Sequence, residues 1–179
     1  MGDGGGRAVT ARAGWTVDEV VRRAQKGDAS ALDALVDEVL PYAARVCGAV
    51  ALDAGDDALQ ETMVAVIRNI GALREPAALR GWVRRIAVRE AVRAARGGRS
   101  VPVDPADLQA VVAVPDGATP VEVREVLAGL PPEQRAVLVL RHVDGLREDE
   151  MAAALGVAPG TVKSRLHRAR ATFRTRWTT

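Results

Sequence analysis

Two stretches of this chain concentrate arginine where a helix would gather it on one side. Between positions 80 and 99 stand Arg80, Arg84, Arg85, Arg89, Arg93, Arg96 and Arg99, against a single acid, Glu90. Arg85, Arg89 and Arg96 recur at i, i+4 and i+11 and share a stripe with Trp82 at its edge. Arg80 and Arg84 line the other flank. A row of guanidinium groups can track phosphates, and a neighbouring ring can stack on an exposed base. A solvated charged face has a similar composition, so this stretch alone leaves both readings open.

The second stretch, 160–179, holds Lys163, Arg165, Arg168, Arg170, Arg174 and Arg176 and no acid. Just before it lies a helix-turn-helix signature, Glu150 through Leu166. Ala152 and Leu155 face inward, Gly156 makes the tight turn, and Val162, Leu166, Ala169 and Phe173 hold the second helix on the first. That leaves Thr161, Lys163, Ser164, Arg165, His167 and Arg168 outward or flanking near the helix N-terminus, the end that enters a major groove. Turn, spacing and an acid-free face coincide here, which points to DNA binding.

A third cluster is acidic: Asp53, Asp56, Asp57 and Glu61, with no base between them. Asp56 and Asp57 suit a helix N-terminus electrostatically. Gln60 and Glu61 lie a turn further in, on a face with Asp57, Val64 and Arg68, and fit a basic protein partner about as well as solvent. No catalytic constellation accompanies these surfaces. There is no Walker loop and no H-E-x-x-H, and His142 and His167 have structural or DNA-facing readings. Cys47, the only cysteine, excludes an internal disulfide and a multi-cysteine zinc site, and is expected in the core. The expectation is a binding protein, not an enzyme, with no cofactor and no metal.

The elements that carry these residues are helices. In 179 residues with 48% apolar content the charge is only +2, yet the pI is about 9.2 because arginine supplies nearly all the positive charge. Thr16 with Glu19 forms a capping box before Val17, Val20, Val21 and Ala24, and Gly27 stops that run. Asp28 caps a second helix with Leu32, Leu35, Val36, Val39, Ala43, Val46, Cys47 and Val50 on one face, carried through Pro41 with an expected kink. A third helix begins at Asp56 with Leu59, Met63, Val66, Ile67 and Ile70 inward. Pro76 opens a fourth, with Leu79, Val83, Ile86 and Ala87 inward. After a stretch with Pro102, Pro105, Pro115 and Pro120 and no Lys or Arg, Thr119, Pro120 and Glu122 start a fifth. Segments 132–143, 147–155 and 159–176 follow.

The organisation expected is all-α: a disordered tail (1–14), a first helical domain (15–99), a flexible acidic linker (100–120) and a helix-turn-helix domain (121–179). No apolar run reaches the roughly 20 residues of a membrane span, and the first residues lack the apolar core of a signal peptide, so a cytoplasmic location is expected.

In order and spacing, four segments resemble the extracytoplasmic-function (group IV) sigma factors of bacteria. They are Asp57-Ala58-Leu59-Gln60-Glu61-Thr62, Leu79 through Ala87 with Trp82, Leu130-Pro131-Pro132-Glu133-Gln134-Arg135, and Glu150 through Arg170. The resemblance spans about residues 15–176. It implies a factor that directs core RNA polymerase to promoters. Asp57, Gln60 and Glu61 would dock on the polymerase clamp helices, and the polymerase flap is implied as a further contact. Arg80, Trp82, Arg84, Arg85, Arg89 and Arg93 would capture the melted −10 strand. Thr161, Lys163, Ser164, Arg165, His167 and Arg168 would read the −35 duplex. An anti-sigma partner is also implied. Two departures stand out: Met63-Val64-Ala65-Val66-Ile67 replaces aromatic residues usual after Q-E, and Glu148-Asp149-Glu150-Met151-Ala152 replaces Y-x-E-I-A. The alternative is a stand-alone helix-turn-helix regulator, which would need neither the acidic face nor the arginine helix.

Overall fold

The computed structural model describes residues 14–97 and 120–178, and every regular element among them is helical. Four helices precede the break: α1 (Val17–Ala24), α2 (Ala29–Ala51), α3 (Gly55–Asn69) and α4 (Leu79–Gly97). Four follow it: α5 (Pro120–Ala128), α6 (Pro132–His142), α7 (Glu148–Leu155) and α8 (Pro159–Trp177). The expected tail and linker, and the Thr119 cap, lie outside the described residues apart from Gly14 and Pro120.

Local chemistry sets the helix starts. The Thr16 hydroxyl accepts from the Glu19 N–H at 3.3 Å while Glu19 accepts from the Thr16 N–H at 2.8 Å, closing the capping box. Asp28 accepts from the Ala31 N–H at 3.2 Å. Helix α2 runs unbroken through Pro41, which sits on its solvent side. Pro76 starts a single 3₁₀ turn, Pro76–Ala78, that leads into α4.

Helix α2 is the spine of the first domain and touches α1, α3 and α4. Leu35, Val46, Cys47 and Val50 on it are fully buried, meeting Val66 of α3 and Val83 and Ala87 of α4 in one core. Helix α3 departs from expectation. Its buried line is Ala58, Thr62, Val66 and Ile70, whereas Leu59 and Met63 are half-buried and Ile67 is 42% exposed. The reason is steric: the small Ala58 and Thr62 let α2 approach, and the Thr62 hydroxyl stands 3.6 Å from the Cys47 sulfur while donating to the Ala58 carbonyl. The larger residues are left on the flank. Leu52, at φ 54°, turns the chain out of α2 into a 3₁₀ turn before α3, a conformation no glycine signals in the sequence.

In the second domain α6 is the buried centre, with Val137, Val139 and Leu140 inside. Gly156, at φ 65°, takes the left-handed cap that ends α7 and starts the turn to α8. Val162, Leu166 and Ala169 are buried and Phe173 half-buried, stacked on Trp177 at 5.8 Å. The two domains are in contact: α6 packs on α2 and α4, and α7 on α4.

Candidate nucleic-acid interface

Helix α4 sorts its cations by face, as an α-helical repeat demands. Leu79, Val83, Ile86, Ala87 and Ala91 are buried, which turns Arg85, Arg89, Arg93 and Arg96 toward one open cleft. Trp82 lies half-buried at the same cleft, and Arg165 of α8 and Glu133 of α6 reach it from the other domain. The cleft encloses about 800 Å³. Arg80 and Arg84 occupy the opposite flank, as the periodicity predicts, and there the Arg80 guanidinium lies 5.3 Å from the centre of the Tyr42 ring. The start of α4 is held firmly. The Gln25 amide donates to the Ile70 and Leu73 carbonyls at 3.1 and 2.7 Å, tying the segment that precedes α4 to α1.

The arginines are not equally free. Arg89 and Arg93 are 71% and 65% exposed, and both pair with the buried Glu90, at 3.3 and 2.7 Å. Arg93 also reaches Glu61 at 3.4 Å, and Arg96 pairs with Glu133 of the second domain. Arg84 is only 17% exposed; its Nε donates to Asp144 at 2.7 Å and to the Tyr42 hydroxyl at 3.2 Å. The Tyr42 hydroxyl in turn donates to Asp144 at 2.6 Å. Burial, and then the Asp144 carboxylate, hold the Tyr42 hydroxyl protonated well above its usual range. Burial works against the charge of Arg84, but Tyr42 and Asp144 outweigh it and keep the guanidinium protonated.

Helix α8 presents Lys163, Ser164, His167 and Arg168 exposed, with Thr161 and Arg165 half-buried. Ser164 bonds back to the Thr161 carbonyl at 3.0 Å, and Arg168 Nε donates to the Ser164 carbonyl at 3.2 Å. These i−3 and i−4 bonds hold the two side chains along the helix surface in the first turns of α8. Pro159 at the first helical position leaves the N-terminal face clear, because its missing N–H is one no helix would pair. Asp57, Gln60 and Glu61 are all exposed on α3 and line a shallow cleft with Arg93 and Gly97. Ile67, two turns beyond Gln60, shares that face.

The structure therefore gathers Trp82, Arg85, Arg89 and Arg93 at one cleft, where Arg165 of α8 joins them, sets Arg80 and Arg84 apart, and joins the α3 group to the stripe through Arg93, leaving the rest of the α8 group on a surface of its own. Sequence reading missed Tyr42 and Asp144. Tyr42 stands outside the apolar stripe read for α2, and Asp144 stands in a short loop with no pattern around it; only their meeting marks them. Among the described residues no cluster of His, Cys, Asp or Glu could hold a metal ion, and no helix is long and apolar enough to cross a membrane.

Comparison with known proteins accounts for this arrangement. Residues 32–101 match the Sigma-70 region 2 family and residues 121–173 the Sigma-70 region 4 family. The chain is 41% identical over 120 residues to the ECF RNA polymerase sigma factor SigM of Mycobacterium tuberculosis, covering 65% of this chain and 60% of that protein. It thus spans less than two thirds of the length of that relative. With the ECF RNA polymerase sigma-E factor of Salmonella typhimurium it shares 31% identity over 172 residues, 84% of this chain and 88% of the other. Among solved structures it resembles CnrH, in complex with the cytosolic domain of CnrY, with a TM-score of 0.59 and 27% identity over 88% of this chain and 94% of that one. The order of the two matched regions and the near full-length likeness make the conclusion plain: this chain belongs to the ECF RNA polymerase sigma factors.

Proposed function

We propose that the chain acts in the cytoplasm as a promoter-selectivity factor of bacterial RNA polymerase, as a binding protein without chemistry of its own. The observation that carries this is the presence of three separate faces in one chain: an acidic α3, an arginine-and-tryptophan α4 and a helix-turn-helix with an exposed basic start. A stand-alone regulator would have use for only the last. Asp57, Gln60 and Glu61 dock on the basic clamp helices of core polymerase, with the exposed Ile67 adding apolar area to the same face. Trp82, Arg85, Arg89 and Arg93, flanked by Arg80 and Arg84, capture the non-template strand of the −10 element once it is melted. Thr161, Lys163, Ser164, Arg165, His167 and Arg168 read the −35 element as duplex, with the second domain near the polymerase flap.

The aromatic residues usual in this family after Q-E are absent, so stacking rests on Trp82 and on guanidinium planes. The binding of CnrH by the cytosolic domain of CnrY supports a protein partner of the anti-sigma kind for this chain as well. The test is reconstitution: purified chain and core polymerase, gel filtration, then transcription from promoter fragments of the source genome. Co-elution with promoter-dependent transcripts is expected. Specific duplex binding by the free chain, with no co-elution, would overturn the assignment in favour of a stand-alone regulator.

A further inference from the structure

Asn69 at the end of α3 and Ala72 just beyond it line the cleft that holds Trp82, Arg85 and Arg89. The chain from there to α4 runs through two 3₁₀ turns, Ile70–Ala72 and Pro76–Ala78, with Leu73 in extended backbone after the first. Burial recurs at every third residue, Ile70, Leu73, Pro76 and Leu79, so one edge of the segment faces the core while Asn69 and Ala72 face the cleft. Short turns of this kind have few backbone bonds of their own. The Leu73 N–H closes the first on the Ile70 carbonyl at 3.1 Å, and the extended Leu73 ends it. Gln25 supplies a brace from outside. It is the C-cap residue of α1, its own N–H donating to the Val21 carbonyl at 2.9 Å. Its side-chain amide donates to the Ile70 carbonyl at 3.1 Å and to the Leu73 carbonyl at 2.7 Å, 45 and 48 positions away. Helix α1 also packs on the second turn. Asn69 is fixed locally, its amide donating to the Ala65 carbonyl at 2.8 Å.

We infer that Gln25 is a positioning residue for strand recognition: its amide clamps both ends of the Ile70–Leu73 turn to α1, so that the wall made by Asn69 and Ala72 stands at a fixed distance from Trp82. Gln25 is not among the residues that line the cleft; it acts through the backbone of the turn. Telling one base from another needs walls held to about 0.5 Å, and a wall that gives way admits the wrong base at little extra cost. Bridging two carbonyls uses both hydrogens of one NH₂ group, which a primary amide supplies without a charge. The turn is thereby ordered before a strand arrives, and binding does not bear the entropy of ordering it. The fold depends on these bonds far less. Ile70, Leu73 and Pro76 fill the core side of the segment, whereas the Gln25 bonds lie at its part-buried margin. Their loss loosens the turn and leaves the domain folded.

The role in recognition rests on the function proposed above; the clamp itself does not, and two measurements separate them. Hydrogen exchange of the full chain, read by mass spectrometry, tests the clamp. Gln25→Met keeps the side-chain length and removes both donors. It should speed exchange in peptides covering 70–78 by about fivefold, the factor one ordinary hydrogen bond is worth, and leave peptides of α2 and α8 unchanged. Gln25→Lys, whose ammonium can donate to both carbonyls, should restore the slow rate. Recognition is read with reconstituted holoenzyme on the promoter fragment it transcribes best and on single-base variants of its −10 and −35 elements. Gln25→Met should lower the cognate-to-variant ratio of open complexes at the −10 element by about fivefold while keeping the −35 ratio and the affinity for core polymerase. Gln25→Lys should return the −10 ratio toward the parent, and a ratio cancels the uniform attraction that its added charge brings. Unchanged exchange in Gln25→Met overturns the clamp. Faster exchange with an unchanged −10 ratio overturns the positioning role, and so does an equal fall in both ratios, the result of a merely structural loss. If the parent itself yields no promoter-dependent transcript, the sigma-factor reading fails and the positioning role with it, while exchange still decides the clamp.

Discussion

Arg135 offers the most direct test of how the two domains are built, and Arg135→Met is the perturbation. Its guanidinium is 6% exposed yet pairs with no carboxylate; it caps two helix ends instead. Nε donates to the Val50 carbonyl near the end of α2 at 2.6 Å, and Nη1 donates to the carbonyls of Leu130 and Leu127, after and within α5, at 3.0 and 3.4 Å. A cation is favoured there, since the last carbonyls of a helix are both unpaired and at the negative end of its dipole. Methionine fills similar space and removes the donors. Each hydrogen bond from a charged group contributes about 1.5–3 kcal/mol, and two of the three are short enough to count. Against that stands the cost of burying the guanidinium, a burial that lowers its pKa below the usual arginine range. The net loss expected is about 2–3 kcal/mol. For a chain of this size that is a fall in melting temperature of about 4–12 °C. Urea titration followed by far-ultraviolet circular dichroism and tryptophan fluorescence measures it. Arg135→Lys, a point donor without the planar fork, should recover only part. A midpoint for Arg135→Met within about 0.5 kcal/mol of the parent refutes the capping argument, since that is the scatter of ordinary surface changes.

The other expectations follow from the remaining surfaces. Cys47 is held protonated by burial, its thiol pushed up to about 12 from an ordinary 9, so it should resist thiol reagents until the chain unfolds. Because the folded value is raised, the stability this contributes is complete below about pH 9 and lost as pH rises toward 12, a decline that Cys47→Ala should lessen, Tyr42 contributing its own part above pH 10. Glu61→Lys, on an exposed position of α3, should leave folding intact and weaken binding to core polymerase by about 2–5 kcal/mol, measured by titration; equal affinity sinks the docking face. Arg165→Ala should cost about 1–3 kcal/mol and relax preference at one base pair, whereas Lys163→Ala should weaken all duplexes alike; uniform loss from both removes base reading from this face. Arg89→Ala should flatten the ratio of open-complex formation between cognate and single-base variant −10 elements, and an equal fall on both would make Arg89 a phosphate anchor rather than a reader.

Most helix positions were legible because their signals are local. The capping box of Thr16 and Glu19, the Asp28 cap, Pro132 and Pro159 at first helical positions and Gly156 in the turn all act within four residues, and the structure uses each of them. The arginine stripe and the start of α8 were legible for the same reason, since one helical period decides which side chains share a face. Tertiary packing decided the rest. Which line of α3 faces inward depended on how closely α2 could approach, so Thr62 was buried and Ile67 turned out, against a count of apolar residues. Leu52 adopts a left-handed φ because the ends of α2 and α3 must meet, not because its own type favours it. The bonds from Arg135 to Val50 and from Asp144 to Tyr42 and Arg84 join residues 60 to 102 positions apart. No pattern within a helical turn announces such a pair; it exists only where folding brings a buried acid and its donors together, because neither can leave water alone.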